Sequence, residues 1–206
     1  MDKEREKLSL VLDLDETLFY STEKRSELLD RPHDFEIYDE YTRFRVFKRQ
    51  GLDDFLERIF NNEKLSIGIW TSANKSYVDG MVSSLFFDKK LSFVFDSSRL
   101  VRQKMPIMSM YGLEGYELKK DLQKVIRHTG ASIERIVAID DKPSFYTRNY
   151  GNLIAVPGFY GDKSKQDNTL ELLADYIERL ERVDNVRKVE KRGWINSQKK
   201  DFTLAI

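Results

Sequence analysis

The chain has 206 residues, no cysteine and a formal net charge of zero, with 35 basic and 35 acidic side chains. This length fits one domain with a substantial core and is short for two. The lack of cysteine excludes disulfides, thiol catalysis and cysteine-bound zinc, and the neutral charge argues against nucleic-acid binding by the molecule as a whole. His33 and His128 are the two histidines, so a site built from several histidines is excluded.

The first seven residues lack the apolar core of a signal peptide, and no run approaches the roughly 18 apolar residues of a membrane span. We therefore expect a soluble intracellular protein, cytoplasmic or nuclear if the host is eukaryotic. We expect no membrane partner and no direct nucleic-acid partner. The oligomeric state does not follow from the sequence.

The first strong pattern is the apolar stretch 8–14, in which leucine occupies alternate positions. In an extended strand Asp13 and Asp15 project from the same side. Burying two neighbouring carboxylates opposes their ionisation, which a divalent cation would offset. A strand end with solvated acids explains the bare pair equally well. A calcium loop does not, because Leu18 and Lys24 stand where an EF-hand requires Gly and Glu.

The following elements are predicted from the apolar periodicity. Alternating patterns around an acidic turn predict a hairpin over 35–38 and 41–47, which we expect to form a flap beside the exit of the first strand. The remaining predictions, in chain order, are a helix at 51–60, a strand at 64–72, a helix at 74–87, a strand at 91–95, a helix at 118–128 with Leu118 facing inward and Gly130 as its stop, a strand at 133–141, a strand at 152–157 and a helix at 169–183.

A cluster of cations lies in the segment that follows the strand at 91–95. We predict that this segment is irregular as far as Glu117. Its Arg99, Arg102 and Lys104 either contact an anionic substrate or belong to a solvated loop, and the sequence leaves both interpretations open.

The end of the chain is rich in lysine and arginine. We place one domain at 1–186 and interpret 187–206 as a basic tail that is peripheral or partly disordered. Trp194 and Ile195 are the apolar residues through which this tail could dock on the domain.

Strands that alternate with helices predict an α/β fold with a central parallel sheet flanked by helices. We expect the short β-hairpin flap after the first strand and no large cap domain. Because sites in such sheets lie beyond the carboxyl ends of the strands, the polar residues at those ends are the candidate site. They are Asp13 and Asp15 after the first strand, Thr71 and Ser72 after the second, and Asp140 and Asp141 after a later one.

Four motifs, taken in order, resemble those of the haloacid dehalogenase superfamily. They are Asp13-Leu-Asp-Glu-Thr17, Trp70-Thr-Ser-Ala-Asn-Lys-Ser-Tyr77, Lys120-Asp-Leu122 and Ile139-Asp-Asp-Lys-Pro143. From about Leu8 to Val186 the chain is similar to the FCP/SCP-type branch. These NLI-interacting-factor-like phosphatases act on phosphoserine in the RNA polymerase II C-terminal repeats and in other proteins. The resemblance implies a Rossmann-like fold of this superfamily.

The resemblance also implies magnesium-dependent hydrolysis of a phosphomonoester through an aspartyl-phosphate. Asp13 would be the nucleophile, and Asp15 would be the general acid and then the general base. The metal ligands would be the carboxylates of Asp13 and Asp140 and the backbone carbonyl of Asp15. Asp141, which stands where many relatives have asparagine, would bind a water on the metal.

The same resemblance implies that Thr71, Ser72 and Lys120 bind the phosphoryl group. The adjacent Lys119 leaves the choice of lysine open by one position. The expected substrate is a phosphorylated serine or threonine in an extended segment of a protein. Two alternatives remain: a phosphatase of nucleic-acid ends or small metabolites, and a catalytically silent module that binds phosphoproteins.

Overall fold

The computed structural model describes residues 5–23, 32–40, 42–105 and 115–197. Its strands and helices follow one another along the chain as the periodicity predicts, with the differences given below. They are β1 (Leu8–Leu12), β2 (Phe19–Glu23), β3 (Phe35–Tyr38), β4 (Arg43–Lys48), α1 (Leu52–Phe60), β5 (Leu65–Trp70), α2 (Lys75–Leu85), β6 (Val94–Phe95), β7 (Val101–Lys104), β8 (Tyr116–Lys119), α3 (Gln123–Thr129), β9 (Ile136–Asp140), β10 (Leu153–Ala155) and α4 (Thr169–Glu181).

The central sheet is parallel, with the strand order β10-β9-β1-β5-β6. The chain moves outward from β1 to β5 and β6 and then returns to the other side of β1 for β9 and β10. Its direction of winding therefore reverses beside β1, which is where α/β sheets place their binding sites. The predicted α/β architecture is confirmed, and the described residues contain no large cap domain.

The two faces of this sheet bury different helices. Leu10 and Leu12 of β1 belong to the larger core, which includes buried side chains of α1, α2 and α4. Val11 belongs to the second core, which Val125 of α3 completes. Because successive side chains of a strand point to opposite faces, these alternating memberships place α3 across the sheet from the other helices.

The helix ends are set by local chemistry. Gly51 precedes α1 with a φ of 77°, a left-handed conformation that favours glycine. The Asn74 side chain accepts a hydrogen bond from the N–H of Tyr77 and so caps the start of α2. Gly130, with a φ of 75°, ends α3 at the stop that the sequence predicts.

The flap is a three-stranded antiparallel sheet in the order β2-β4-β3. The predicted hairpin is present as β3 and β4, and β2 adds a strand directly after the first motif. Ile37 and Val46 are buried in the larger core, so the flap packs on the body of the domain.

The predicted inward-facing helix start at Leu118 is wrong. Leu118 belongs to β8, which pairs with β7, and its side chain is 44% exposed. The segment predicted as irregular is therefore partly a hairpin, and residues 106–114 of that segment lie outside the described residues. Strand alternation turns Leu118 to solvent because the neighbouring Lys119 is buried.

Four other predicted strands are shorter than expected, and those predicted at 64–72 and 152–157 are limited to β5 and β10. The strand predicted at 91–95 is limited to β6, and the one predicted at 133–141 begins only at Ile136. The preceding residues Ile133–Arg135 form a 3-10 turn, which the Ser132 hydroxyl caps by accepting a hydrogen bond from Glu134.

The segment after Val186 is less peripheral than the sequence predicts. Trp194 is buried, stacks on Tyr176 of α4 with ring centroids 5.5 Å apart, and donates from Nε1 to the Ala155 carbonyl at 2.8 Å. As far as residue 197, the segment therefore docks on the domain through Trp194, the predicted alternative to a peripheral tail. Residues 198–206 lie outside the described residues.

Candidate active site

The exit of β1 places the first motif at the carboxyl edge of the sheet. The Asp13 N–H donates to the Ile139 carbonyl at 3.0 Å, so β1 and β9 still run side by side there. The chain then turns sharply: Glu16 has a φ of 58°, and the Leu18 N–H donates to the Leu14 carbonyl at 2.8 Å. This turn leaves Asp13 at the end of the sheet and sends the chain into the flap.

Lys120 joins two of the strand ends. Its Nζ lies 2.6 Å from Asp13 Oδ1 and 2.6 Å from Asp140 Oδ2, and all three side chains are buried. Although burial favours the neutral amine, the carboxylates of Asp13 and Asp140 raise the pKa of Lys120, so it remains an ammonium. Burial and the neighbouring Asp13 raise the pKa of Asp140 to about 7, against the opposing effect of Lys120.

The two adjacent lysines differ in their contacts. The Nζ of Lys119 donates to the Ser144 carbonyl at 2.7 Å and pairs with Glu117, whereas that of Lys120 contacts Asp13 and Asp140. The structure therefore brings Lys120 into the acidic cluster, as the Lys-Asp-Leu motif predicts.

Asp13, Asp140 and Asp141 form a group of carboxylates whose oxygens lie within 4.8 Å of one another. Three acids this close to one lysine leave an excess of negative charge, and burial is the main cause that raises the pKa of Asp141 as well. Carboxylate oxygens are the ligands that Mg²⁺ prefers. The donor set and its uncompensated charge therefore fit a hard divalent cation.

Thr17, for which sequence reasoning gave no role, links these acids. Its hydroxyl donates to Asp13 Oδ2 at 3.1 Å and accepts from the Asp141 N–H at 3.1 Å. Thr17 is fully buried. The sequence feature that could have indicated this role is the position of Thr17 four residues after Asp13, because a hydroxyl there can reach back across the turn.

The carboxylate of Asp15 faces a different set of partners. Its Oδ1 accepts hydrogen bonds from the hydroxyls of Tyr77 and Ser21, the latter at 3.1 Å. Burial raises the pKa of Asp15 to about 6, and the hydrogen bond from Tyr77 partly opposes that rise. Burial and the Asp15 carboxylate in turn raise the pKa of Tyr77, which keeps its hydroxyl protonated.

Thr71 and Ser72 follow β5 at the same edge of the sheet. Leu12 of β1 lies opposite Ile69, so Thr71 comes just beyond the level of Asp13. The hydroxyl oxygen of Thr71 accepts from the Ala73 N–H at 3.1 Å, which leaves the hydroxyl hydrogen to donate elsewhere. Within the described residues, no hydrogen bond joins Thr71 or Ser72 directly to the acidic cluster.

The three cations after β6 differ in what they contact. The Arg99 guanidinium lies over the Phe95 ring, 4.6 Å from its centroid, and the Arg99 carbonyl accepts from Lys124 at 2.7 Å. Arg102 and Lys104 lie on the β7 strand with exposed side chains. All three residues are exposed, and Arg99 differs only in that its guanidinium covers the Phe95 ring of the second core.

The protein is therefore of the α/β class, with a cluster of aspartates at the point where the winding of its parallel sheet reverses. The chain belongs to the family of NLI interacting factor-like phosphatases, whose pattern matches residues 8–187. This membership confirms the resemblance found in the four motifs. None of the described helices combines the length and apolar character of a membrane span.

Two curated relatives are similar over most of the chain. A Dictyostelium discoideum protein named "Probable C-terminal domain small phosphatase" is 30% identical over 183 residues, which are 88% of this chain and 53% of that protein. The human carboxy-terminal domain RNA polymerase II polypeptide A small phosphatase 1 is 28% identical over 187 residues, covering 91% of this chain and 64% of the human protein. The chain thus spans between about half and two thirds of these relatives.

Among solved structures, that of Fcp1, described as an essential RNA polymerase II CTD phosphatase, matches 85% of this chain and 49% of its own, with 20% identity and a TM-score of 0.49.

Proposed function

We propose that the protein is a magnesium-dependent phosphatase that forms an aspartyl-phosphate on Asp13 and acts on phosphorylated serine or threonine in extended protein segments. The observation that carries the proposal is the position of Lys120 Nζ, 2.6 Å from both Asp13 and Asp140, in a cluster that Asp141 completes. Family membership and the names of the relatives support the same reaction class.

In the first step an Asp13 carboxylate oxygen attacks phosphorus, and the bond from phosphorus to the seryl oxygen breaks. Asp15 gives its proton to that leaving oxygen. In the second step the Asp15 carboxylate takes a proton from a water whose oxygen attacks phosphorus. The bond from phosphorus to Asp13 then breaks, which releases inorganic phosphate and restores both aspartates to their starting states.

Lys120 contributes fixed positive charge next to the nucleophile. It pairs with the Asp13 carboxylate and stabilises the negative charge of the phosphoryl group in transfer. The hydroxyl of Thr71 and the backbone N–H of Ser72 would bind phosphoryl oxygens. Positioning and electrostatics of this kind supply most of the catalysis in phosphoryl transfer.

Asp13, Asp140 and the backbone carbonyl of Asp15 would hold Mg²⁺, with Asp141 beside it. The ion supplies positive charge that reduces the repulsion between an anionic nucleophile and an anionic phosphoryl group. Thr17 fixes the relative positions of Asp13 and Asp141 through its hydroxyl.

The substrate class rests on the shape of the flap and on the relatives. The flap is a small sheet of three short strands, and the described residues contain no large cap domain, which fits a substrate that is part of a polypeptide. The human relative is named for the carboxy-terminal domain of RNA polymerase II. A segment of that type, with phosphoserine in an extended chain, is the substrate we propose.

The test measures phosphate release from an aryl phosphate and from a phosphoserine peptide, with Mg²⁺ and with chelator. We expect the wild type to need the metal, and Asp13→Asn to lose turnover while its Tm stays within a few degrees. Asp79→Asn, a change of the same type at an exposed site on α2, is the matched control. Peptide that binds but is never hydrolysed would instead identify a phosphoprotein-binding module.

A further inference from the structure

Two hydroxyl groups from different elements meet at the carboxyl group of Asp15. Tyr77 of α2 and Ser21 of β2 both donate to the same oxygen of Asp15, and Tyr77 OH lies 2.6 Å from Ser21 Oγ. Tyr77 is only 5% exposed. The proposed reaction uses Asp15 but assigns nothing to these two neighbours.

We propose that Tyr77 and Ser21 are positioning residues that hold the Asp15 carboxyl group in one orientation for proton transfer. This inference rests on the proposed function, since it concerns the acid of the same site. With Oδ1 held by two hydroxyls, Oδ2 is the oxygen left to exchange a proton with the leaving group and with water. A general acid is effective only when it lies within hydrogen-bond reach of that oxygen.

Asp15 needs such support because the backbone next to it turns sharply. Glu16 is the only described residue other than glycine with a positive φ, so Asp15 is carried on a tight turn outside the regular sheet. Two hydrogen bonds from α2 and β2 replace the rigidity that a strand would give.

The same contacts tie the acid to the flap. Ser21 belongs to β2, and Phe44 of β4 meets the Tyr77 ring edge to face, with centroids 5.0 Å apart and an interplanar angle of 81°. Tyr77 thus lies between the flap and Asp15. The orientation of the acid therefore depends on how the flap sits on α2.

The experiment compares two substrates whose leaving groups differ in how much they need a proton. Expulsion of nitrophenolate needs little help from an acid, whereas expulsion of a serine alkoxide needs a proton. Because kcat/KM reports the steps through departure of the leaving group, the loss in kcat/KM is compared between nitrophenyl phosphate and a phosphoserine peptide. We expect Tyr77→Phe to lower kcat/KM on the peptide by about tenfold or more and on nitrophenyl phosphate by less than about threefold, with KM for the peptide little changed.

Two further variants calibrate this contrast. Asp15→Asn should show the same contrast more strongly, on the order of a hundredfold on the peptide, because it removes the acid itself. Tyr20→Phe removes a tyrosine hydroxyl from the strand that carries Ser21, where the ring packs against Phe47 and Tyr160, and should leave both substrates unaffected. Ser21→Ala should fall between the control and Tyr77→Phe.

The outcomes separate the inference from the proposed function. If the wild type hydrolyses neither substrate, the proposed function fails. If Asp15→Asn shows the contrast and Tyr77→Phe does not, the function stands and the positioning role is wrong. An equal loss on both substrates would mean that Tyr77 only maintains the fold, and a rise confined to KM would mean that it contacts the peptide. Either result would overturn the inference.

Discussion

Lys120 is the single side chain whose position says most about the chemistry. An ammonium that is almost fully buried is stable only where its charge is paired, and here two carboxylates at 2.6 Å provide the pairing. Removing it leaves Asp13 and Asp140 as neighbouring buried acids with no cation between them. The pKa of Asp140, which Lys120 now holds down, would rise further, and the carboxylate of Asp13 would lose the cation with which it is paired.

We therefore expect Lys120→Ala to lower kcat by more than tenfold, a loss of about 1.4 kcal/mol or more in transition-state stabilisation. Phosphate release at saturating Mg²⁺ measures the effect. Lys119→Ala is the matched control, because Lys119 is also buried but bonds to Ser144 and Glu117 instead. A larger loss of kcat in Lys119→Ala would show that the lysine is misassigned.

The raised pKa of Asp15 has a consequence for stability in metal-free protein. Its folded-state pKa of about 6 exceeds the value of 3.8 for an unburied carboxyl, so the folded chain binds more protons between these two pH values. The contribution of Asp15 is full below pH 3.8 and is lost as the pH rises through 6.

Asp15→Asn keeps a neutral side chain at every pH. In chelator, its free energy of unfolding at pH 7.5 should exceed that of the wild type by on the order of 2 kcal/mol, and the difference should vanish near pH 4. Urea unfolding at the two pH values measures it. A constant difference across this range would mean that Asp15 titrates normally in the folded chain.

The residues at strand ends could be predicted because their convergence follows from the parallel sheet alone. Asp13 and Asp140 are of this kind, whereas Lys120 follows β8 of the separate hairpin and could be assigned only through the family's Lys-Asp-Leu motif. Tyr77 and Ser21 could not, because their contact with Asp15 depends on how the flap packs against α2, which periodicity does not report. Tyr77 lay inside a motif that was identified, but its apolar neighbours made it part of a helix face.

Most elements could be predicted because each buries one face, so that its apolar residues recur at a regular spacing in the sequence. The β7–β8 hairpin is the exception: it is amphipathic only in part, and its pairing joins Val101 to Lys119 across a long segment. The predicted helix begins at Leu118, within β8, because the spacing of Leu118 and Leu122 also fits a helix. In the structure these residues instead pair with β7, and Lys119 is buried.

The strand β5, which lies next to β1 in the sheet, contains a glycine that no motif requires. A Cβ at Gly68 would lie 2.3 Å from Phe93, so the aromatic ring occupies the space of a side chain and packs directly on the sheet backbone. Phe93 in turn packs on Phe95, which meets the Trp70 ring edge to face.

Gly68→Ala should therefore destabilise the protein by about 1–3 kcal/mol, the cost of overpacking a core. Thermal or urea unfolding measures the change. Gly80→Ala in α2 is the control, since its Cβ would meet its nearest neighbour, the Tyr38 carbonyl oxygen, at an ordinary 3.5 Å. The control should be neutral or stabilising by up to about 1 kcal/mol, because alanine favours a helix interior. Equal effects of the two changes would contradict this account of Gly68.

At the scale of the whole molecule, the folded unit extends past the family match that ends at residue 187. Lys191 is buried, and its Nζ donates to the carbonyls of Gly151 and Val186 and, at 3.0 Å, of Val189. Together with Trp194 it fastens this segment beside β10. A lysine-rich sequence predicts a solvated tail. That backbone carbonyls bind the ammonium of Lys191 cannot be inferred without the fold.

Trp194→Ala should therefore cost about 3–5 kcal/mol in the free energy of unfolding, as expected when a buried tryptophan is truncated. Trp194→Phe keeps an aromatic ring on Tyr176 and loses the hydrogen bond to Ala155, so its cost should be smaller, of about 1 kcal/mol. Urea unfolding of the two variants against the wild type measures both. A negligible effect of Trp194→Ala would show that the segment is peripheral after all.

The proposed phosphorylation of Asp13 can be tested directly, because the covalent intermediate can be trapped. Borohydride reduces an acyl phosphate on aspartate to homoserine, which peptide mass spectrometry locates. With Mg²⁺ and a phosphorylated substrate, wild-type protein quenched during turnover should contain homoserine at position 13, and samples without substrate or with chelator should not. Turnover with no homoserine, or homoserine at position 15 or 140 instead, would contradict the account.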